Sequence, residues 1–389
     1  MCLRLMATRA TVIEHEGVND SYNACTGVGP QKPTPDRTTS MLLPASQAAT
    51  LALLLISLIC WGAWANTLKL AGKWRFELYL YDFALGFALL AVVAAFTGGT
   101  LASSELTFQE NFLVASYRNV AYVLVAGAIF NIGNMLLMAT VSVAGMALAF
   151  SVTCGVALAV ATVRALIFES SIGMPVALAG AALLLAAVVL AAFAYSQLLA
   201  ARAEAIKQAA LQADPRAKLG RRPAGSPGTA LPVTLAAVGG LALGLFHPLL
   251  NLGRTGDNAI APYGLTLLFA ASIFGTTILL TPFFLTFPVA GAPLAIRDYF
   301  SGSLKLHVFG LLGGILAGVA FLTGMLALSV PRNGAELSYG LSEGGPVLAV
   351  ICGLLIWREF KAAERPWLLM LVTLILLAAG ITLLAVSRG

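Results

Sequence analysis

Charge is what this sequence has least of. Asp, Glu, Lys and Arg make up 10% of its 389 residues, where a soluble globular domain carries about 25%. A chain so poor in ionised side chains cannot clothe a water-facing surface of this size, so a soluble class is excluded. The net charge of +6 then bears on membrane orientation, and no nucleic-acid partner is expected. Histidine is scarcer still. His15, His247 and His307 stand far apart, and nothing in their spacing suggests a metal. The cysteines are Cys2, Cys25, Cys60, Cys154 and Cys352, with no CxxC pair among them. Those in apolar stretches read as small core residues, and no cofactor is expected. No period-two alternation suggests a membrane barrel.

What the chain has is apolar sequence: 59% hydrophobic residues and a mean hydropathy of +0.90. About 20 helical residues cross ~30 Å of hydrocarbon. Runs of that order fall near 46–68, 78–99, 120–140, 144–163, 174–199, 231–252, 263–286, 308–329, 335–357 and 366–386. The expected fold is an all-α polytopic membrane protein with ten transmembrane helices. Residues 1–45 are polar, contain Pro30, Pro33 and Pro35, and lack a signal-peptide run. A disordered tail is expected there, with Met41 an alternative start. The stretch 200–230 is a basic linker between two five-span halves, 46–199 and 231–389. Its first part, Ala201–Leu211, is helix-prone and is expected to prolong span five; the run Arg216–Arg222 suits anionic lipid.

Basic residues are unequally shared between the two sides. The larger share of the 23 falls in loops with Lys69, Lys73, Arg75, Arg202, Lys207, Arg216–Arg222, Arg297, Lys305, Arg358, Lys361 and Arg365. The smaller holds the tail, Arg118, Arg164, Arg254, Arg332 and Arg388. The positive-inside rule puts the larger set in the cytoplasm and both termini outside. The halves also echo each other at a steady offset. Ser142-Val143 matches Ser329-Val330, Asn66 with Lys69 matches Asn251 with Arg254, and Leu166-Ile167-Phe168-Glu169 matches Leu355 to Glu359 with one insertion. Because each half has an odd number of spans, the second copy is inverted, a recurring transporter plan with its site at the midplane.

The stretch Asn333 to Lys361 draws the eye within this bundle. It carries Glu336 and Glu343, with Gly340, Gly344, Gly345 and Pro346 interrupting a span-length helix. A carboxylate at depth costs at least ~2.5 kcal/mol, so Glu343 is expected to face a wet cavity or a partner and to carry a coupling proton. Asp82, about a turn inside span two, is the second proton candidate, or else an ion-pair partner of Lys69 or Lys73. Trp61, Trp64, Asn66, His247 and Asn251, from spans one and six, offer flat aromatic faces and amide groups for a small polar solute. Asn131 and Asn134 in span three either join them or bond helix to helix. Gly314-x-x-x-Gly318 fits close helix approach. Gly340-Leu341-Ser342-Glu343-Gly344 matches GxSxG, but the elbow needs a strand before the serine, so no enzyme is expected.

Several of these residues carry a resemblance. Cys60-Trp61-Gly62-Ala63-Trp64 running on to Leu68-Lys69-Leu70, Leu80-Tyr81-Asp82-Phe83, Ile132-Gly133-Asn134 and His247-Pro248 with Asn251-Leu252 resemble motifs of the plant ureide permeases. So does Pro346 followed by Gly353 and Trp357-Arg358-Glu359-Phe360, and the likeness covers about residues 48–388. That family belongs to the drug/metabolite transporter superfamily, beside bacterial glucose/ribose and rhamnose carriers. The resemblance implies secondary, proton-coupled uptake of allantoin, uracil, xanthine or related solutes by a monomer or homodimer. The sequence departs from that pattern at Glu343, where the family has Gln, and at Gly340 and Phe150, where carboxylates are expected. A sugar importer or a metabolite exporter is the alternative within transport, and a receptor or complex subunit the alternative outside it. The Ala-, Leu- and Gly-rich composition suggests a bacterial inner membrane.

Overall fold

The computed structural model describes residues 44, 46–100, 107–168, 172–213, 228–256, 258–329, 341–361 and 363–388. The N-terminal tail with Met41, the run Arg216–Arg222, Glu169, Arg332, Glu336 and Gly340 lie outside the described residues.

The described chain is helical throughout its apolar runs. With no water to bond the backbone in hydrocarbon, each run must satisfy its own amides, and a helix does so. Span one is split into α1 (Gln47–Ala63) and α2 (Asn66–Leu70). There follow α3 (Phe76–Phe96), the short α4 (Phe108–Val114), α5 (Tyr117–Ala144), α6 (Met146–Phe168) and α7 (Met174–Ala213). The second half comprises α8 (Ala230–Arg254), α9 (Pro262–Thr286), the short α10 (Arg297–Phe300) and α11 (Leu304–Ala327). It ends with α12 (Gly345–Ile351), which continues as a π turn over Cys352–Ile356, and α13 (Glu364–Val386). Nine helices among the described residues are long and apolar enough to cross a membrane, counting α1 and α2 as one. The chain is therefore an all-helical, multi-pass membrane protein. The ninth expected span, 335–357, is described only from residue 341 onward. Helix α7 runs straight through Ala201–Leu211 and so carries span five well beyond the bilayer's thickness.

Close packing rests on glycine. A Cβ on Gly314 of α11 would collide with the Phe83 carbonyl of α3, and one on Gly86 with the Leu311 carbonyl. The two backbones touch because neither helix has a side chain at the crossing. Helix α8 packs on α5 and α6, while α1 packs on α11 and α12. Helix α3 packs on α11 and α9 on α5; α7 and α13 pack on each other. At the centre, Phe87, Phe130, Phe246, Phe269 and Phe321 join rings from five spans, Phe269 and Phe321 being stacked at 4.1 Å.

Candidate functional site

The interruption of span one is local chemistry before it is architecture. Where the helix breaks at Trp64 and Ala65, the Asn66 side-chain amide donates to the carbonyls of Gly62 and Ala63 at 3.3 and 3.0 Å. Thr67 Oγ1 donates to the Trp64 carbonyl at 2.7 Å. The Asn66 oxygen is left to accept from Trp357 Nε1, beyond the π turn, at 2.7 Å. Asn66 therefore ties the first span to the end of the ninth.

Three residues further on, Lys69 meets Glu359. Its Nζ lies 2.7 Å from Oε1. The same carboxylate accepts the backbone amides of Met146 and Ala147 at 2.8 and 2.9 Å. These are the first amides of α6, which follow Gly145 at φ 95°. A glycine offers that helix no capping side chain, so its orphan donors and positive dipole end take a carboxylate from another span. Arg202, on the extension of α7, donates to the Glu359 carbonyl at 2.9 Å. One carboxylate thus joins spans one and four to the chain leaving span nine.

Asp82 is at the same end, in the second turn of α3. It pairs with neither Lys69 nor Lys73, contrary to one sequence expectation. Lys69 is taken by Glu359, and Asp82 faces α11 across the glycine-lined crossing, where Gly310 packs on its Cβ. Oδ1 accepts from the Tyr299 hydroxyl at 2.6 Å and lies 2.9 Å from His307 Nδ1. The carboxylate is 2% exposed and the imidazole 19%. Trp74 and Tyr299 both pack edge-on against the histidine and tilted against each other. Burial, then the hydrogen bond to Asp82 and its charge, hold the Tyr299 phenol well above the ordinary tyrosine range.

Glu343 lies deeper. It closes a helical turn at Leu341–Glu343, before Gly344 and the start of α12. Fourteen residues separate it from Trp357 (the difference of the two numbers), about 20 Å at helical rise. Cys154 of α6 and His247 of α8 are within electrostatic reach of it. His247 is exposed, and Glu343 is half-buried. Trp61 packs on Gly345, one residue past the break, and edge-on against Phe130 at 6.0 Å.

The other expected binding residues are dispersed. Trp64 is 2% exposed and buried against Phe83 and Phe150, so the aromatic at 150 fills the space a carboxylate would need. Asn131 is fully buried and bonds helix to helix, donating to the Ile273 carbonyl, Thr276 and Thr277 of α9. Asn134 is 2% exposed, its amide nitrogen without a partner among the described residues. Asn251 is exposed at the far end of α8, where its oxygen accepts from Arg254 at 2.9 Å. Asn66 and Asn251 therefore sit near opposite ends of the bundle. Trp61, His247 and Glu343 remain together, joined by Cys154, which a sequence reading as a core cysteine passes over.

Compared with known proteins, the sequence matches no protein-family model and no curated protein. Among the described residues no group of His, Cys, Asp and Glu is arranged to hold a metal ion.

Proposed function

We propose that this chain is a secondary active transporter that moves a small polar metabolite, a ureide or nucleobase, across the bacterial inner membrane. It works by alternating access, coupled to protons. The observation that carries the reading is Glu343: a half-buried carboxylate at a helix break, within electrostatic reach of His247, inside a bundle of apolar spans. Such a group is costly to keep there unless it handles an ion or a solute. Trp61 supplies a flat face beside it.

Two inverted five-span repeats supply the motion. The packing favours this, because exchanging each span for the one five places away turns the most extensive contacts into others that exist. Span six on spans three and four becomes span one on spans eight and nine; span two on span eight becomes span seven on span three. On this reading the contacts of Lys69 and Arg202 with Glu359 make that end the closed gate. By the positive-inside rule that end faces the cytoplasm and both termini face out, so the site opens outward.

The test is uptake of labelled allantoin, uracil, xanthine, glucose and rhamnose into proteoliposomes, with and without an imposed proton gradient. Wild type and Glu343→Gln are compared. Gradient-driven accumulation of a ureide or nucleobase, lost in Glu343→Gln, is the expected result. Accumulation of a sugar would reassign the substrate. Background levels for every solute would remove the uptake reading.

A further inference from the structure

A groove on the described surface lies away from Glu343. It holds about 700 Å³ between the π turn and the start of α13. Leu354, Leu355, Trp367 and Leu368 line it, with Arg358 and Lys361 at the polar end. Leu355 and Leu368 are 58% and 56% exposed on membrane-spanning segments, which places them against acyl chains. Arg358 and Lys361 sit where those segments end, at headgroup depth.

These two cations differ from the others nearby. Lys69, Arg75 and Arg202 are engaged by Glu359, Glu77 and the Glu359 carbonyl. Arg358 and Lys361 are exposed, and neither side chain has a hydrogen bond or ion pair among the described residues. The Arg358 backbone is held at φ 50°, a conformation rare for a side-chain-bearing residue. One carboxylate, Glu364, also lines the groove. It stands in the first turn of α13, where the positive helix end offsets its charge, so the groove's polar end stays positive.

We propose that this groove binds an anionic phospholipid, its phosphate between Arg358 and Lys361 and an acyl chain along Leu355 and Leu368. Apolar walls continuous with the spans exclude a free phosphate as the occupant that fills it. Unpartnered cations at the bilayer surface select anionic headgroups, and Trp367 is a ring type favoured at that depth. The inference needs only that the chain spans a bilayer and is independent of what it transports.

The test uses the full chain in vesicles containing a minority of phosphatidylglycerol or phosphatidylcholine with brominated acyl chains. Tryptophan quenching is read, and Trp367→Phe isolates the contribution of that ring. Each cation adds ~1 kcal/mol near an anionic surface, so quenching of Trp367 is expected at several-fold lower mole fraction of the anionic lipid, roughly fivefold or more. Arg358→Gln with Lys361→Gln brings the two lipids to parity, whereas the charge-conserving Arg358→Lys with Lys361→Arg keeps the preference. Equal quenching by both lipids in the wild type, or a preference that survives the double Gln variant, overturns the proposal.

Discussion

Lys69 Nζ and Glu359 Oε1 stand 2.7 Å apart, and that carboxylate is also the only capping group that α6 receives from the described residues at its first two amides. The pair therefore ties two spans and caps a helix at once. Glu359→Gln removes the charge from both roles. Under the transport reading, closure at this end weakens and Cys154 becomes reachable from the Lys69 side. In a chain whose other cysteines are serine, labelling of Cys154 by an impermeant maleimide from that side is expected to rise roughly fivefold, the equivalent of ~1 kcal/mol. Unchanged labelling would mean that the closure is held elsewhere.

The Tyr299 hydroxyl bonded to Asp82 gives a second prediction. Tyr299→Phe removes a hydrogen bond to a buried carboxylate, a loss of about 1.5–3 kcal/mol, read as a lower unfolding temperature in detergent. The pH dependence has a definite sign. The phenol is held above its ordinary value of 10.0 in the folded state, so its contribution is complete below pH 10 and is lost as pH rises beyond it. Wild type should lose stability more steeply than Tyr299→Phe above that point. Parallel curves would show that Tyr299 is not the titrating group.

Glycine substitution separates contact from composition. Gly314→Ala forces a Cβ into the Phe83 carbonyl, and overpacking of this kind costs about 1–3 kcal/mol or more. Gly275→Ala places its Cβ in open space and should leave the unfolding temperature unchanged or slightly raised. Equal effects at the two positions would contradict the packing of α3 on α11.

The short helix α4 is held by a capping box, in which Thr107 and Glu110 bond each other's backbone amides. Those bonds, led by the Thr107 amide, hold the Glu110 carboxyl below its ordinary 4.5. Its contribution is present above that value and is lost as pH falls through the lower folded one. Protection against hydrogen exchange across Phe108–Val114, taken relative to the unstructured rate at each pH, should fall in acid. In Thr107→Ala it should be low at both ends of the range.

The spans were legible because an apolar run in a bilayer has one way to satisfy its backbone. Nearly every expected run is a helix here. Glu343 was legible for a related reason, since a carboxylate in such a run is rare enough to mark itself. Its neighbours were not. Cys154 and His247 reach it from α6 and α8 through tertiary packing, which no local pattern encodes. Asn66 and Asn251 look equivalent along the sequence, yet each bonds its own end of the bundle. The role of Glu359 had a faint signal in Gly145-Met146, a helix start with no side chain to cap it. Asp82 and His307 meet only because Gly310 lets α11 come close.

The π turn at Cys352–Ile356 holds one more residue per hydrogen-bonded loop than an α turn. The motif Leu355 to Glu359 also holds one residue more than its counterpart at Leu166-Ile167-Phe168-Glu169, whose described part ends an ordinary helix. The wider turn absorbs that residue without breaking the span. The chain beyond it keeps its register, with Trp357 facing Asn66 and Glu359 facing Lys69. A single-residue deletion within Cys352–Ile356 would restore α geometry and leave both side chains facing their partners, whereas a second inserted residue, with no further turn to absorb it, would turn them away by about 100°. The deletion would make the two halves of this protein match in length at this motif and keep the contact of Lys69 with Glu359, and the insertion would break it.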